Sequence, residues 1–145
     1  MLKDDIQKKM LVVFKEGKKT ETDALRFVLS EIKYAEINKK GPLTDDETAA
    51  LLQKEVKKRK EAILLFQKGG RQDLVDRENQ QIGAIEHFLP KQLSDEELFK
   101  IVDEEILKAG KEANVGKIIG AVMAKTMRKA DGSRVALMVK KRLSE

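Results

Sequence analysis

The sequence contains no cysteine and no tryptophan, and it has only one histidine and two prolines. Without cysteine there are no disulfides, no thiolate or His/Cys metal clusters and no cysteine nucleophile. The single histidine, His87, precedes a proline-terminated segment and is interpreted as a helix-end side chain. Aromatic residues make up 4% of the chain and charged residues 38%, which favours solvated helices over sheets.

Long apolar runs are also missing. No segment approaches the ~20 apolar residues of a membrane span, and the first residues lack the apolar run of a secretory signal. We therefore expect a cytoplasmic protein without a membrane partner. The hydrophobic fraction of 41% over 145 residues is sufficient for a folded core.

Helical periodicity of the apolar residues predicts an all-α fold. Two capping boxes mark helix starts, one from Thr44 to Glu47 and one from Ser94 to Glu97. Gly17 is expected to take the left-handed conformation at the end of the first helix. The predicted helices cover about residues 2–16, Thr20 or Thr22 to 38, 45–68, 73–88 and 95–109, followed by helix six capped by Asn114 and helix seven capped by Asp131.

The domain joint is predicted after Pro90, because proline disfavours helix in the residue before it and a new N-cap follows within a few residues. We predict an N-terminal helical bundle of about four helices over residues 1–90. A small C-terminal three-helix domain is predicted over residues 94–145.

Two charged residues fall on apolar helix faces. Glu36 lies on the apolar side of helix two and Arg59 on the apolar side of helix three. We hypothesise that they form an ion pair that fixes the register of the two helices. The alternative is an arginine whose aliphatic stem packs while its charged head reaches water.

The excess positive charge lies at the end of the chain. The net charge is +5, and residues 111–145 alone carry nine basic and three acidic side chains. Charge of one sign on a compact helical segment is typical of a surface that binds a polyanion. The alternative is a solvated basic face without a ligand. The candidate RNA-binding residues are Lys117, Lys125, Arg128, Lys129, Arg134, Lys140 and Lys141.

Small residues in helices six and seven have structural interpretations. Gly116, Gly120 and Ala124 form a stripe on helix six that we interpret as packing surface for a closely approaching helix. Asp131 is interpreted as the N-cap of helix seven, and Gly132 as the residue that lets helices six and seven turn tightly.

No catalytic constellation is present in the sequence. The carboxylates occur in first helical turns or alternate with lysines, as on solvated faces. Gly69-Gly70-Arg71 follows a predicted helix and lacks the lysine and hydroxyl of a P-loop. The residues therefore specify no enzyme, no cofactor and no metal site.

Several short motifs occur in a fixed order along the chain. They are Leu25-Arg26 with Glu36, Lys54-Glu55 with Lys57-Lys58-Arg59-Lys60-Glu61, Gly70-Arg71-x-Asp73-Leu74, Phe88-Leu89-Pro90-x-Gln92-Leu93-Ser94, Gly116-Lys117-x-x-Gly120-x-x-Met123 and Ala130-Asp131-Gly132. In this order and spacing the chain resembles the YqeY family over essentially its whole length. Its second half is similar to the tail of the B subunit of glutamyl/aspartyl-tRNA amidotransferase.

The resemblance implies an all-helical fold with an N-terminal bundle and a C-terminal three-helix unit. In the amidotransferase the similar tail leans on the corner of the tRNA, whereas other domains perform phosphorylation and amide transfer. The family name implies carbon–nitrogen ligase activity with glutamine as the amide donor, but this chain has no residues to perform it. A tRNA-facing role is implied for Lys117, Lys125, Arg128, Arg134 and Lys140.

We therefore expect a non-catalytic accessory protein that binds tRNA or another structured RNA. Its candidate protein partner is an amidotransferase or a translation component. The alternative is a protein-interaction module that docks a partner through helices six and seven, where Met123, Met127 and Met138 offer adaptable apolar contacts.

Overall fold

The computed structural model describes residues 1–127 and 129–144, and within these ranges the chain is all-α, as predicted, without a strand. The chain divides into two compact units, Met1–Leu89 and Pro90–Glu145. A 3-10 turn, Gly110–Glu112, follows the fifth helix. The α-helices are α1 (Leu2–Lys15), α2 (Lys19–Lys39), α3 (Asp45–Lys68), α4 (Gln72–Glu86), α5 (Asp95–Ala109), α6 (Val115–Thr126) and α7 (Gly132–Leu143).

The first unit packs α1 to α4 around one apolar core. Each helix contributes its apolar stripe, and several of these side chains are completely buried. Burying one aliphatic side chain of this size stabilises the fold by about 1.5–3 kcal/mol. The core consists of Ile6, Val13, Ala24, Leu25, Val28, Ile32, Leu52, Val56, Ile82 and Ile85.

Both predicted capping boxes are confirmed. The Thr44 hydroxyl accepts a hydrogen bond from the Glu47 amide at 3.1 Å, and the Glu47 carboxylate accepts one from the Thr44 amide at 3.0 Å. Ser94 and Glu97 make the same reciprocal pair at 3.2 and 3.0 Å. These bonds satisfy first-turn amides that have no partner inside the helix.

The carboxylate of Glu47 also binds Lys39, and this contact together with the Thr44 amide lowers the pKa of Glu47 from 4.5 to about 2. Because the folded pKa is the lower one, the contribution to stability is present above about pH 4.5 and is lost as the pH falls toward 2. We expect the stability difference between the wild type and Glu47→Gln to be positive at neutral pH and to shrink across this range.

Chemical denaturation at several pH values measures this difference. Glu61→Gln is the control, because Glu61 lies on the same helix, is exposed and has no ion pair within the described residues. A difference between the wild type and Glu47→Gln that does not change with pH would contradict the assignment.

The connection between α1 and α2 corrects one predicted helix start. Gly17 is left-handed at φ 75°, as predicted, but α2 begins at Lys19, before either predicted threonine cap. Thr22 lies inside the helix, where its hydroxyl donates to the Lys18 carbonyl at 2.7 Å. The glycine turns the chain so tightly that the next helix starts two residues later without a side-chain cap.

The hypothesised ion pair between Glu36 and Arg59 is wrong. Glu36 accepts hydrogen bonds from the Lys3 ammonium at 2.6 Å and from the Leu43 amide at 3.1 Å. The Lys3 contact lowers the pKa of Glu36 below its usual value. Glu36 therefore connects α1 to the segment after α2 and does not reach α3.

Arg59 has a different set of partners, in which its charged head stays inside the first unit. Its guanidinium donates to Glu78 at 3.3 Å and to Gln81, lies 3.8 Å from Glu55, and stacks 5.6 Å from the centre of the Phe27 ring. The side chain is only 12% exposed, which excludes the snorkelling alternative. Arg59 thus joins α2, α3 and α4.

The register of the α2–α3 hairpin explains why the predicted pair does not form. In this hairpin, residues of α2 and α3 that face each other lie equally many positions from the turn. The contacts of Lys39 with Glu47 and of Phe27 with Arg59 both follow this rule. Glu36 is nine positions from Phe27, or roughly 14 Å along α2 at the usual helical rise. It is too far from Arg59 to pair with it.

The second unit packs α5, α6 and α7 around a smaller core. α5 and α7 run parallel, because Asp95 pairs with Arg134 and Asp103 pairs with Arg142, at 2.7 and 2.9 Å. α6 packs against both. The core consists of Leu98, Val102, Ile118, Val122, Ala130, Val135 and Val139.

Candidate nucleic-acid interface

The hairpin of α6 and α7 carries most of the candidate RNA-binding residues. Asn114 caps α6 as predicted, and its side-chain oxygen accepts from the amides of Gly116 and Lys117 at 2.9 and 3.3 Å. Asp131 caps α7 as predicted by accepting from the Ser133 amide at 3.2 Å. Both helix starts therefore follow from local side-chain hydrogen bonds.

The turn between the two helices differs from the prediction for Gly132. Gly132 is the first residue of α7 and does not have a positive φ. A Cβ atom there would meet the Met123 side chain at 3.8 Å, an ordinary contact. The left-handed residue is Met127, at φ 43°, which ends α6. The tight turn thus depends on Met127, and Gly132 is not required for it.

Two of the candidate basic residues are held by carboxylates of α5. Lys125 forms an ion pair with Glu105 at 2.7 Å, and Arg134 forms one with Asp95 at 2.7 Å. The Glu105 contact raises the pKa of Lys125, and in return Lys125 lowers that of Glu105. These two basic side chains hold α5 against its neighbours, and their charges are already compensated.

Four other candidates remain exposed. Lys117, Lys129, Lys140 and Lys141 form no ion pair with any described residue. The backbone at Lys129 is fixed, since its carbonyl accepts from the Leu93 amide at 2.7 Å, while its side chain extends into solvent. Arg128, also a candidate, lies outside the described residues.

The acidic residues of α5 reduce the local charge that the sequence suggested. The unit from Pro90 onward carries twelve basic and nine acidic side chains, a net charge of +3. Six of the acidic residues belong to α5, which the count over residues 111–145 omitted. The positive potential is therefore concentrated on α6 and α7, away from the ion pairs with α5.

The small-residue stripe of α6 is not packing surface, which corrects the interpretation above. Gly116, Gly120 and Ala124 are all exposed. A Cβ atom at Gly120 would have no atom within 4 Å, and one at Gly116 would meet only the Asn114 side chain of the helix's own cap at 3.3 Å. The backbone of α6 is accessible from solvent along this face.

Lys117 borders this accessible face. On a helical wheel its side chain points within ~60° of Gly120 and ~20° of Ala124. Lys117 and Lys140 lie at the end of the hairpin opposite its turn, whereas Lys129 lies at the turn. The length of α6, Val115–Thr126, therefore separates them by about 18 Å. The hairpin therefore has separate cations at its two ends, and of these Lys117 borders the bare backbone.

The three methionines do not form one docking surface. Met123 and Met138 pack against the core of the second unit, whereas Met127 is 73% exposed at the turn.

Arg142, which the candidate set omitted, is paired with Asp103 and stacks 4.2 Å from the centre of the Phe99 ring. Arg134 and Arg142 are eight residues apart, as are Asp95 and Asp103. This equal spacing is the sequence signal that could have indicated the two ion pairs.

Two further features bear on function. Across the described parts of the chain, no group of three or more His, Asp or Glu side chains is arranged to hold a metal ion. Over the same residues, no helix is both long enough and apolar enough to cross a membrane. His87 ends α4, with its ring edge-to-face against Phe88 at 5.1 Å.

Comparison with known proteins assigns the family. Residues 3–143 match the family model described as Yqey-like protein. The chain is also similar to the uncharacterized protein C22F3.15 of Schizosaccharomyces pombe, with 40% identity over 89 residues that cover 61% of this chain and 72% of that relative. The family match spans all of the described α-helices except Leu2, the first residue of α1. The chain belongs to the YqeY-like protein family.

Proposed function

We propose that this protein is a non-catalytic RNA-binding accessory factor whose second unit binds tRNA, in tRNA-dependent amidation or in translation. The similarity of the second half to the amidotransferase tail supports tRNA as the RNA. The second unit supports a binding role, because exposed basic residues lie on and beside α6 and α7 and Lys117 borders bare backbone. Among the described residues no acid–base or nucleophile pair accompanies them.

The observation that carries the proposal is the exposed face of α6. Gly120 and Ala124 leave its backbone open, and Lys117 beside them has no ion-pair partner among the described residues. Side chains this small let a ribose–phosphate surface approach the helix closely. Lysines around such a face hold phosphates without reading sequence, which is typical of proteins that recognise structured RNA by its shape.

The salt dependence of RNA binding tests the proposal. Fluorescence anisotropy with tRNA at about 50 and 200 mM salt is expected to give affinities that differ by roughly 20- to 40-fold, the result for about three neutralised phosphates. Lys117→Gln combined with Lys140→Gln is expected to weaken binding at low salt and to reduce the slope of the salt dependence by about two.

The matched control removes two charges from the first unit. Lys57 and Lys58 are exposed on α3, so Lys57→Gln combined with Lys58→Gln should leave the slope unchanged if the second unit binds the RNA. Equal losses in the two double variants would show attraction to net charge only. Absence of tRNA binding at low salt would end the proposal, and equal binding of tRNA and an unstructured RNA would remove its structural specificity.

A further inference from the structure

A groove runs along α5 and α7 of the second unit. Its volume is about 900 Å³, comparable to the larger ligand sites of proteins. No residue of α6 contributes to it. The lining residues are Asp95, Glu96, Phe99, Lys100, Asp103, Glu104 and Leu107 of α5, and Arg134, Leu137, Met138, Lys141 and Arg142 of α7.

The groove collects exposed apolar side chains of the second unit. Leu107 is 81% exposed and Leu137 is 72% exposed, and the ring of Phe99 is also accessible at 39%. Single exposed leucines are common, but several on one concave surface indicate a contact with another molecule. A unit with so small a core would otherwise be expected to bury these residues.

Two ion pairs fix the shape of the groove. Asp95–Arg134 and Asp103–Arg142 connect its walls at positions eight residues apart on each helix, or about 12 Å. Arg142 also stacks on Phe99 at 4.2 Å. The two ion pairs therefore hold the walls at a set distance from each other before any ligand binds, which lowers the cost of binding.

The helix packing indicates which shape fits the groove. α6 packs against both α5 and α7, and the groove lies along the same two helices without using α6. A further helix in the groove would contact α5 and α7 in an equivalent way and complete a four-helix arrangement. A helix that binds in a groove places apolar side chains at helical spacing against it. Leu107, Leu137 and Phe99 can contact such side chains.

The charges of the groove distinguish its occupant from RNA. Its lining has four acidic and four basic side chains, so it gives no net attraction to a polyanion. The α5 edge has Glu96 and Glu104 with Lys100 between them, and Glu104 also lies 3.8 Å from Lys125 of α6. The α7 edge has Lys141, which has no ion pair within the described structure. A complementary helix carries basic residues toward α5 and an acidic residue toward α7.

We propose that this groove binds an amphipathic α-helix of a partner protein, with an apolar stripe against Phe99, Leu107 and Leu137, a basic flank along α5 and an acidic flank along α7. This site is separate from the exposed face of α6, so the protein can hold an RNA and a protein helix at the same time. The second unit then acts as an adaptor.

The test uses two designed peptides of about 18 residues, with leucine at i, i+3, i+7 and i+10 to form the apolar stripe. One peptide has lysine on the flank that meets α5 and glutamate on the other, and the second peptide has the flanks exchanged. Binding to the full-length chain is measured by fluorescence anisotropy. The matching peptide is expected to bind about 3- to 10-fold more tightly than the exchanged one.

Variants of the groove locate the binding. Leu137→Asn and Leu107→Asn are each expected to weaken binding of the matching peptide by about 10-fold or more. Leu64→Asn is the control, because Leu64 is similarly exposed at 60% but lies on α3. Circular dichroism of each variant checks that the helices remain folded, as expected for substitutions at such exposed positions.

Several outcomes would overturn the proposal. The first is that neither peptide binds. The second is that both peptides bind equally. The third is that Leu64→Asn weakens binding as much as Leu137→Asn. Displacement of the peptide by tRNA together with weaker tRNA binding by Leu137→Asn would assign the groove to RNA. Association with anionic lipid vesicles that requires Leu107 and Leu137 would assign it to a membrane surface. Failure of tRNA binding alone would leave the groove proposal intact, because its apolar anchors Phe99, Leu107 and Leu137 are not among the candidate RNA-binding residues.

Discussion

Replacing Arg59 by methionine is expected to lower the free energy of unfolding by about 3–5 kcal/mol. The guanidinium is 12% exposed and is the cation that faces Glu55 and Glu78, whose side chains are 9% and 18% exposed. Methionine fills most of the volume but leaves two carboxylates without a countercharge. The loss is a large fraction of the total stability of a domain of this size, which is typically 5–15 kcal/mol.

Urea denaturation followed by circular dichroism measures this loss. Lys58→Met is the matched control on the same helix, because Lys58 is exposed, and its effect is expected within about 0.5 kcal/mol. Adding Glu55→Gln and Glu78→Gln to Arg59→Met should recover part of the loss, since the carboxylates no longer need a cation. An Arg59→Met variant as stable as the wild type would show that the cluster contributes nothing.

Replacing Leu98 by alanine is expected to remove most of the stability of the second unit. Leu98 is completely buried on α5, and such a truncation costs about 2–5 kcal/mol. A unit as short as Pro90–Glu145 has only ~3–8 kcal/mol in total by the usual stability per residue. One cavity therefore removes most of what holds the three helices together.

Hydrogen exchange with peptide-level resolution checks this expectation. Amides of α5, α6 and α7 should lose protection, whereas amides of α1 to α4 should keep theirs, since the two units have separate cores. Leu107→Ala is the control, because Leu107 lies on the same helix but is 81% exposed. Equal loss of protection in both units would show that the chain unfolds as a single cooperative structure.

The fold follows from local signals that a sequence contains directly. Apolar residues at helical spacing placed Leu25, Val28 and Ile32 on one buried face. Helix starts were correct where a side chain reaches the backbone a few residues away, as at Thr44 and Ser94. The start of α2 was missed because Gly17 allows a helix to begin without such a cap.

The side-chain pairs were harder to predict, because they depend on register between helices. Glu36 and Arg59 both face inward, but the hairpin places Arg59 against Phe27 and leaves Glu36 with Lys3. The spacing within each helix does not fix the offset between helices. That offset is set by the turn lengths and by the packing of the whole core.

The environment of the candidate basic residues also depends on packing between helices. Charge counting located basic residues on α6 and α7, but it could not separate Lys117, which is exposed, from Lys125 and Arg134, which pair with α5. The acidic residues of α5 resemble a solvated face in the sequence. Only the packing of α5 shows that some of them neutralise the cations nearby.

The glycine on the exposed face of α6 has a cost in helix stability. Glycine inside a helix costs roughly 0.5–1 kcal/mol relative to alanine, and at Gly120 no neighbouring atom requires the missing side chain. This loss of helix stability falls on the second unit, whose total stability is small because its core is small. Because no packing contact requires glycine at this position, an alanine there would strengthen the helix without a steric conflict.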